Sequence, residues 1–168
     1  MKSNINIIQP DDWHVHLREG DMLKCITQYT SRLNRRCIAM PNTKKPITTF
    51  EKAIEYIAII KKYSFSDNFE PLVPCYLTDN LDLKNFRQGL KNNIFIGAKL
   101  YPLNVTTNSK SGIADLKSIY NALQILEEEN KLLLIHGEKS EKEIDIFDRE
   151  KAFIDDLLNE IKKKFPKL

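Results

Sequence analysis

The sequence predicts an α/β domain built around a parallel β-sheet. Five predicted strands begin near residues 12, 36, 70, 94 and 131, and a predicted helix follows each of them. This alternation is typical of right-handed βα units on a parallel sheet. Two architectures share the pattern: an open doubly wound sheet, and a (β/α)8 barrel, which needs about 250 residues. A chain of 168 residues has room for five units.

The first part of the chain contains an opening segment and two βα units. We expect a short strand at residues 5–8, then a strand at 12–18 and a helix for which Asp21 is a plausible N-cap. The apolar run at 37–40 is stopped by Pro41, as a buried parallel strand would be. Residues 48–51 form a Thr-x-x-Glu capping box, which predicts the start of the next helix.

The second part of the chain continues the alternation. A strand at 71–77 contains Pro74, which makes it the weakest of the predicted strands. The remaining predicted elements are a helix at 83–90, a strand at 94–101, a polar loop at 102–112, a helix at 115–129, a strand at 132–136 and a helix at 147–165. Since no linker or low-complexity segment divides them, we expect residues 1–168 to form one domain.

Composition argues against several classes of function. Lysine and arginine number 26 against 23 acidic residues, and no basic patch is interleaved with aromatic residues, so nucleic-acid binding is not expected. There is no apolar run of membrane-spanning length and no apolar core of a signal peptide. Three widely spaced cysteines fit neither a disulfide framework nor a zinc knuckle, and we expect buried or half-buried thiols. A cytoplasmic protein is the resulting prediction.

One residue separates His14 from His16 in the first predicted strand. Because side chains of a strand alternate between its two faces, both imidazoles leave the same face. Imidazole is a good ligand for zinc, so the pair is a candidate metal site. Taken alone, the pattern is also consistent with ordinary polar residues at a strand end.

Other polar residues follow the ends of the predicted strands, where parallel α/β folds gather their ligands. They are Arg18 after the first strand, Asn42 after the second, Lys99 and Tyr101 at the fourth, and His136 at the fifth. All three histidines of the chain are therefore placed where a site would form.

Desolvation beside positive charge would lower the pKa of Lys99, and a neutral amine can add carbon dioxide. The resulting carbamate could bridge two metal ions roughly 3.5–4 Å apart. The alternative is a strand-end lysine that extends toward solvent.

Six motifs in series resemble one enzyme family. They are residues 11–18, 40–42, 98–102, 104–109, 136–138 and 145–150. Together they resemble the dihydroorotases of the shorter bacterial type, which belong to the amidohydrolase superfamily, and the match runs in order from about Pro10 to the last residue. The resemblance implies a partial TIM (β/α)8 barrel, about five βα units of a metal-dependent hydrolase fold.

The resemblance also implies a function and a set of site residues. The activity is the zinc-dependent reversible cyclisation of N-carbamoyl-L-aspartate to dihydroorotate in pyrimidine biosynthesis. His14 and His16 would bind the more buried of two zinc ions, carbamylated Lys99 would bridge both ions, and His136 would bind the second. Arg18 and Asn42 would hold the substrate carboxylate. Thr106 and Thr107 would lie on a mobile loop that closes over the substrate, for which the alternative is an ordinary polar turn.

The family pattern extends beyond residue 168. The resemblance implies three further C-terminal βα units that carry another histidine ligand and the catalytic aspartate, so the catalytic residue is not identified in this chain. We expect the isolated chain to be inactive, and the family implies a homodimer for the complete protein. One hypothesis is a piece of a dihydroorotase that a C-terminal half could complement. The alternative is a non-catalytic remnant that acts as an interaction or structural partner. A hydantoinase is disfavoured by Arg18, Asn42 and the 106–107 loop.

Overall fold

The computed structural model describes residues 5–139, 141 and 143–168, and its centre is a five-stranded parallel sheet. The strands are β1 (Asp11–Val15), β2 (Arg36–Ala39), β3 (Glu70–Tyr76), β4 (Phe95–Leu100) and β5 (Leu132–Ile135). Their order in the sheet is β1-β2-β3-β4-β5, so each strand lies beside its predecessor in the chain. A doubly wound sheet reverses its strand order, whereas a barrel does not. The chain therefore forms a half-barrel, as predicted.

Helices follow the strands in the predicted alternation. They are α1 (Gly20–Leu33), α2 (Phe50–Tyr63), α3 (Leu83–Lys91), α4 (Tyr120–Glu128), α5 (Arg149–Phe153) and α6 (Asn159–Lys164). A 3-10 turn at Leu116–Ile119 precedes α4, and a π-helical segment at Ile154–Leu158 joins α5 to α6. The single helix predicted at 147–165 is thus interrupted by a wider turn in its middle.

The predicted strand at residues 5–8 is wrong. Residues 5–10 have no regular structure, and Ile5, Ile7 and Ile8 are 84%, 81% and 95% exposed. The segment precedes β1 in the chain, and its Pro10 O accepts a hydrogen bond of 2.8 Å from the backbone N of Arg35, just before β2. Apolar β-branched residues favour a strand only where a neighbouring strand pairs with them.

Two predicted helix starts are displaced. Thr49, not Thr48, caps α2, since its side chain accepts a hydrogen bond from Lys52 N at 3.4 Å. At α1 the capping position is Glu19, and Asp21 lies inside the first turn. The Glu19 carboxylate accepts a hydrogen bond from Lys44 N at 2.7 Å instead of capping its own helix. This contact ties the β1–α1 turn to the loop after β2.

Two glycines allow close packing around β4. A side chain at Gly89 would place its Cβ 2.4 Å from the ring of Phe95, so glycine lets α3 rest directly on β4. A Cβ at Gly97 would lie 2.2 Å from the carbonyl oxygen of Leu132, so glycine also lets β5 approach β4. Just past β5, His136 N donates a hydrogen bond to Leu100 O at 2.9 Å. The position of His136 is therefore fixed by the β4–β5 pairing.

The expectation of buried thiols is confirmed for two of the three cysteines. Cys37 and Cys75 are buried, and burial raises the pKa of Cys37 to about 12. Cys25 is exposed on α1, so the expectation is wrong for this residue. Among the described helices, none has the length and apolar character needed to cross a bilayer.

Candidate metal centre

The two histidines of β1 form a pair with converging nitrogens. His14 lies within β1 and His16 directly follows it, and their Nε2 atoms are 3.3 Å apart. Two zinc–nitrogen bonds of about 2.05 Å at a tetrahedral angle place their nitrogens about 3.3 Å apart. The pair therefore has the separation that two imidazole ligands of one tetrahedral ion require.

Asn42, burial and nearby positive charges favour the form of these imidazoles that binds a metal ion. His16 Nδ1 lies 2.9 Å from Asn42 Oδ1, and an amide oxygen can only accept, so Nδ1 carries the proton and Nε2 keeps its lone pair. Burial lowers the pKa of His14, and the nearby charge of Lys99 lowers it further. Burial, followed by the charge of Arg18, lowers the pKa of His16. Both rings are thus held toward the neutral form that binds metals.

Lys99 projects from β4 into the same region. Its side chain is buried, and burial lowers its pKa to about 8. Its ammonium lies 5.1 Å from the centre of the Tyr101 ring, and over the described ranges it has no hydrogen bond or carboxylate partner. Its charge lowers the pKa of both His14 and His16, which places it near their rings. The lysine and the histidine pair therefore share one edge of the sheet.

His136 faces this region from the other side of the half-barrel. Its charge lowers the pKa of His14, although β1 and β5 are at opposite ends of the strand order. Its Nε2 lies 3.1 Å from Glu138 Oε1, and its ring centre lies 5.9 Å from that of Tyr101. In the part of the chain that the structure describes, no three side chains of the His, Cys, Asp or Glu type are grouped closely enough to hold a metal. His136 therefore stands apart from the His14–His16 pair.

Arg18 and Asn42 are held beside the pair. Arg18 has a left-handed backbone, with φ of 62°, and Tyr56 donates a hydrogen bond from its hydroxyl to Arg18 O at 3.0 Å. Arg18 Nη1 donates to Asn42 O at 3.4 Å. Asn42 is buried, and its Nδ2 donates to Thr107 O at 2.9 Å. Both ends of the Asn42 amide are thus engaged within the protein, one by His16 and the other by the loop after β4.

The loop after β4 is a compact turn docked on Asn42. Ser109 Oγ accepts from Thr106 N at 2.9 Å and donates to Thr106 O at 2.6 Å. Asn108 has a φ of 57°, and its Nδ2 donates to Asn42 O at 3.0 Å. The hydroxyls of Thr106 and Thr107 make no hydrogen bond to the described residues. The Thr107 carbonyl and the Asn108 amide dock the loop, and sequence reasoning missed the role of Asn108.

Two tyrosines, Tyr76 at the end of β3 and Tyr101 just after β4, lie beside the site. Their rings stack with centres 5.1 Å apart and planes at 27°. Tyr76, which sequence reasoning also missed, donates from its hydroxyl to Asn108 O at 3.3 Å. It is the last residue of β3 and is in register with Lys99. The rule that sites gather at the carboxyl ends of strands would have identified it.

Sequence comparison finds curated relatives that are dihydroorotases. The chain is 45% identical to the dihydroorotase of Vibrio vulnificus over 166 residues, which cover 99% of this chain and 48% of that protein. It is 46% identical to the dihydroorotase of Buchnera aphidicola over 165 residues, 98% of this chain and 47% of that protein. The chain thus spans about half the length of the curated relatives it matches. No family model matches the chain.

Comparison with solved structures also finds dihydroorotases. The dihydroorotase of Saccharomyces cerevisiae in complex with 5-fluoroorotic acid superposes with a TM-score of 0.85 at 32% identity, covering 95% of this chain and 45% of that one. The dihydroorotase of Campylobacter jejuni gives 0.85 at 31% identity, over 95% and 46% of the two chains. An L-hydantoinase of Arthrobacter aurescens gives 0.72 at 15% identity, over 94% and 39%, which is a likeness of fold.

The lowered pKa of Lys99 predicts that the chain gains stability as pH rises from about 8 toward 10.5 in buffer free of metal and carbon dioxide. In this window the unfolded chain binds a proton at Lys99 that the folded chain does not, so the free energy of unfolding rises with pH. The full effect is about 3 kcal/mol for a shift of about 2.5 pKa units. Urea unfolding at pH 7.5 and pH 10 measures it in the wild type and in Lys99→Met. Parallel pH profiles for the two proteins would contradict the prediction.

Replacing Asn42 by alanine is expected to loosen the loop after β4. The change removes the hydrogen bonds to His16 and to the Thr107 carbonyl, and we expect a loss of about 2 kcal/mol of stability. Amide hydrogen exchange at residues 104–109 should become faster. Thr107→Ala is the matched control, because the Thr107 carbonyl is retained. Unchanged loop exchange in Asn42→Ala, or equal acceleration in the control, would show that Asn42 does not hold the loop.

Proposed function

Because the chain is related to the dihydroorotases in sequence and fold over about half of their length, we propose that it forms the metal-binding part of a dihydroorotase. The activity of the complete site is the reversible cyclisation of N-carbamoyl-L-aspartate to dihydroorotate in pyrimidine biosynthesis. The observation that carries the proposal is the convergence of His14, His16 and Lys99 on one edge of the half-barrel, with His136 opposite. A related fold alone would not require this arrangement.

The complete site would hold two zinc ions. His14 and His16 would bind the first ion, which the 3.3 Å separation of their Nε2 atoms supports. Lys99, as its carbamate, would be a ligand shared by both ions, and His136 would bind the second. When bound, zinc lowers the pKa of water and polarises a carbonyl group. Glu138, which contacts Nε2 of His136, is suited to orient that ring.

Carbamylation of Lys99 follows from its burial. With a pKa of about 8, about a tenth of the side chain is the neutral amine at pH 7, far more than for a lysine in water. The amine lone pair attacks the carbon of carbon dioxide, a nitrogen–carbon bond forms and a proton leaves to solvent. The product is an anion in place of a cation that has no carboxylate partner among the described residues. Two neighbouring cations would stabilise that anion.

Arg18 and Asn42 bind the substrate carboxylate. A guanidinium matches a carboxylate with two parallel hydrogen bonds, and the left-handed backbone of Arg18 is fixed by Tyr56. The 5-fluoroorotic acid in the yeast relative is a ligand of this chemical class. Asn42 Nδ2 uses one of its two hydrogens to hold the carbonyl of Thr107, so the second can be donated to the substrate carboxylate while the loop stays docked. Thr106 and Thr107, whose hydroxyls are uncommitted, then cover the substrate.

The rest of the barrel completes the site. Residues 1–168 form an incomplete barrel domain, and three further βα units supply the catalytic aspartate and another histidine ligand. These units come from a C-terminal half that lies between the β5 and β1 edges of the sheet. The complete protein is a cytoplasmic homodimer that acts on a small molecule.

Complementation tests the proposal directly. The purified chain with two equivalents of zinc should show no turnover of dihydroorotate. Adding the part of the Vibrio vulnificus dihydroorotase that this chain does not cover should restore turnover, and Lys99→Ala should then abolish it, because the bridging anion is lost. Lys61→Ala, at an exposed position on α2, is the matched control and should keep full activity.

Several outcomes would contradict parts of this proposal. Turnover by the chain alone would show that the missing units are not required. Full activity and metal content in complemented Lys99→Ala would remove the carbamate role. Restored turnover of hydantoin in place of dihydroorotate would change the substrate. Zinc binding without any restored turnover would favour the alternative hypothesis, a non-catalytic remnant.

A further inference from the structure

The hydroxyl of Tyr101 is buried and has no hydrogen-bond partner. Tyr101 is 1% exposed, and its hydroxyl is one of three buried side-chain polar atoms without a partner in the described part of the chain. The other two are Thr27 Oγ1, on α1, and Arg149 Nε, at the start of α5. Folded proteins rarely leave a buried hydroxyl unpaired, because its hydration is lost without compensation. An unpaired hydroxyl inside a site indicates a place for a ligand atom.

The ring of Tyr101 lies beside side chains of the candidate site. The Lys99 ammonium lies 5.1 Å from the centre of its ring, and the His136 ring centre lies 5.9 Å away. A phenol hydroxyl can donate a hydrogen bond. Arg18 is near enough for its charge to act on the Tyr101 hydroxyl. The hydroxyl therefore lies within reach of Arg18 on a ring that contacts the metal-binding side chains.

Tyr76 gives an internal comparison. Its ring stacks on that of Tyr101, and both residues are almost fully buried. Yet the Tyr76 hydroxyl donates to Asn108 O at 3.3 Å, whereas the Tyr101 hydroxyl is unpaired. The Tyr76 hydroxyl thus supports the loop, whereas the Tyr101 hydroxyl is available to an atom of a bound ligand.

We propose that Tyr101 is a further substrate-binding residue, whose hydroxyl donates a hydrogen bond to the carboxylate of the ligand held by Arg18. The inference rests on the proposed function, since it takes the carboxylate ligand from there. A carboxylate suits this position because it only accepts hydrogen bonds and is attracted by the nearby guanidinium. The competing explanation is that the hydroxyl binds only a buried water molecule.

The experiment is a fluorine NMR titration of 5-fluoroorotate with the full chain in metal-free buffer. Tyr101→Phe keeps the ring against Lys99 and His136 and removes only the hydroxyl. We expect the dissociation constant to rise about tenfold in Tyr101→Phe, as for loss of a hydrogen bond to a charged group, and binding to be lost in Arg18→Ala. The melting temperature of Tyr101→Phe should equal or exceed that of the wild type, because no hydrogen bond within the protein is lost. Tyr76→Phe, which loses its bond to Asn108, should melt lower.

The outcomes separate this inference from the proposed function. If Arg18→Ala loses binding but Tyr101→Phe retains wild-type affinity, the hydroxyl binds water only, and the inference fails while the proposed function stands. If Tyr101→Phe weakens binding but also melts lower than the wild type, its role is structural and the inference fails. If the wild-type chain does not bind 5-fluoroorotate, the substrate class is wrong and the role of Tyr101 fails with it.

Discussion

The burial of the Lys99 ammonium without an anionic partner is the constraint on which the rest of the site depends. A charged group taken out of water destabilises the folded chain unless it is neutralised or paired. Burial alone lowers its pKa to about 8, and no carboxylate offsets this among the residues that the structure describes. Loss of the proton removes the free-energy cost of the buried charge. Conversion to a carbamate replaces the cation by an anion, and bound cations would then pair with that anion. The histidine pair beside Lys99 provides a place for such cations.

The sheet and its close contacts bring these groups together. Strands that follow one another in sheet order curve into a half-barrel, so the ends of β1 and β5 face the same space. Gly97 lets β5 lie against β4, which positions His136. Asn42 joins His16 to the carbonyl of Thr107, so the metal-binding side chains and the loop after β4 are mechanically connected. The site is thus formed at the strand ends, and the loop is attached to it through Asn42, which contacts both Thr107 and Asn108, and through the hydroxyl of Tyr76.

Much of this arrangement could be predicted from the sequence. Side chains alternate between the two faces of a strand, and parallel pairing brings the carboxyl ends of the strands to one edge of the sheet. The spacing of His14 and His16 gave a shared face, and the carboxyl-end rule gave the common edge for Lys99 and His136. The docking role of Asn108 depends on a left-handed turn, and the unpaired hydroxyl of Tyr101 depends on packing between distant strands, which the sequence pattern does not encode. At α1 the Glu19 side chain binds Lys44 N instead of capping its own helix, a contact between distant parts of the chain that the local pattern does not encode.

X-ray absorption at the zinc edge tests the central claim most directly, with the chain loaded with zinc in bicarbonate buffer. The account predicts imidazole scattering from nitrogens at about 2.0–2.1 Å and, after dialysis, a smaller zinc edge step in Lys99→Met than in the wild type, because water replaces the carbamate oxygen and holds the ion less tightly. Zinc surrounded by water oxygens alone, or equal edge steps in wild type and Lys99→Met, would contradict it. The first result would show that His14 and His16 do not bind the metal, and the second that Lys99 contributes no ligand.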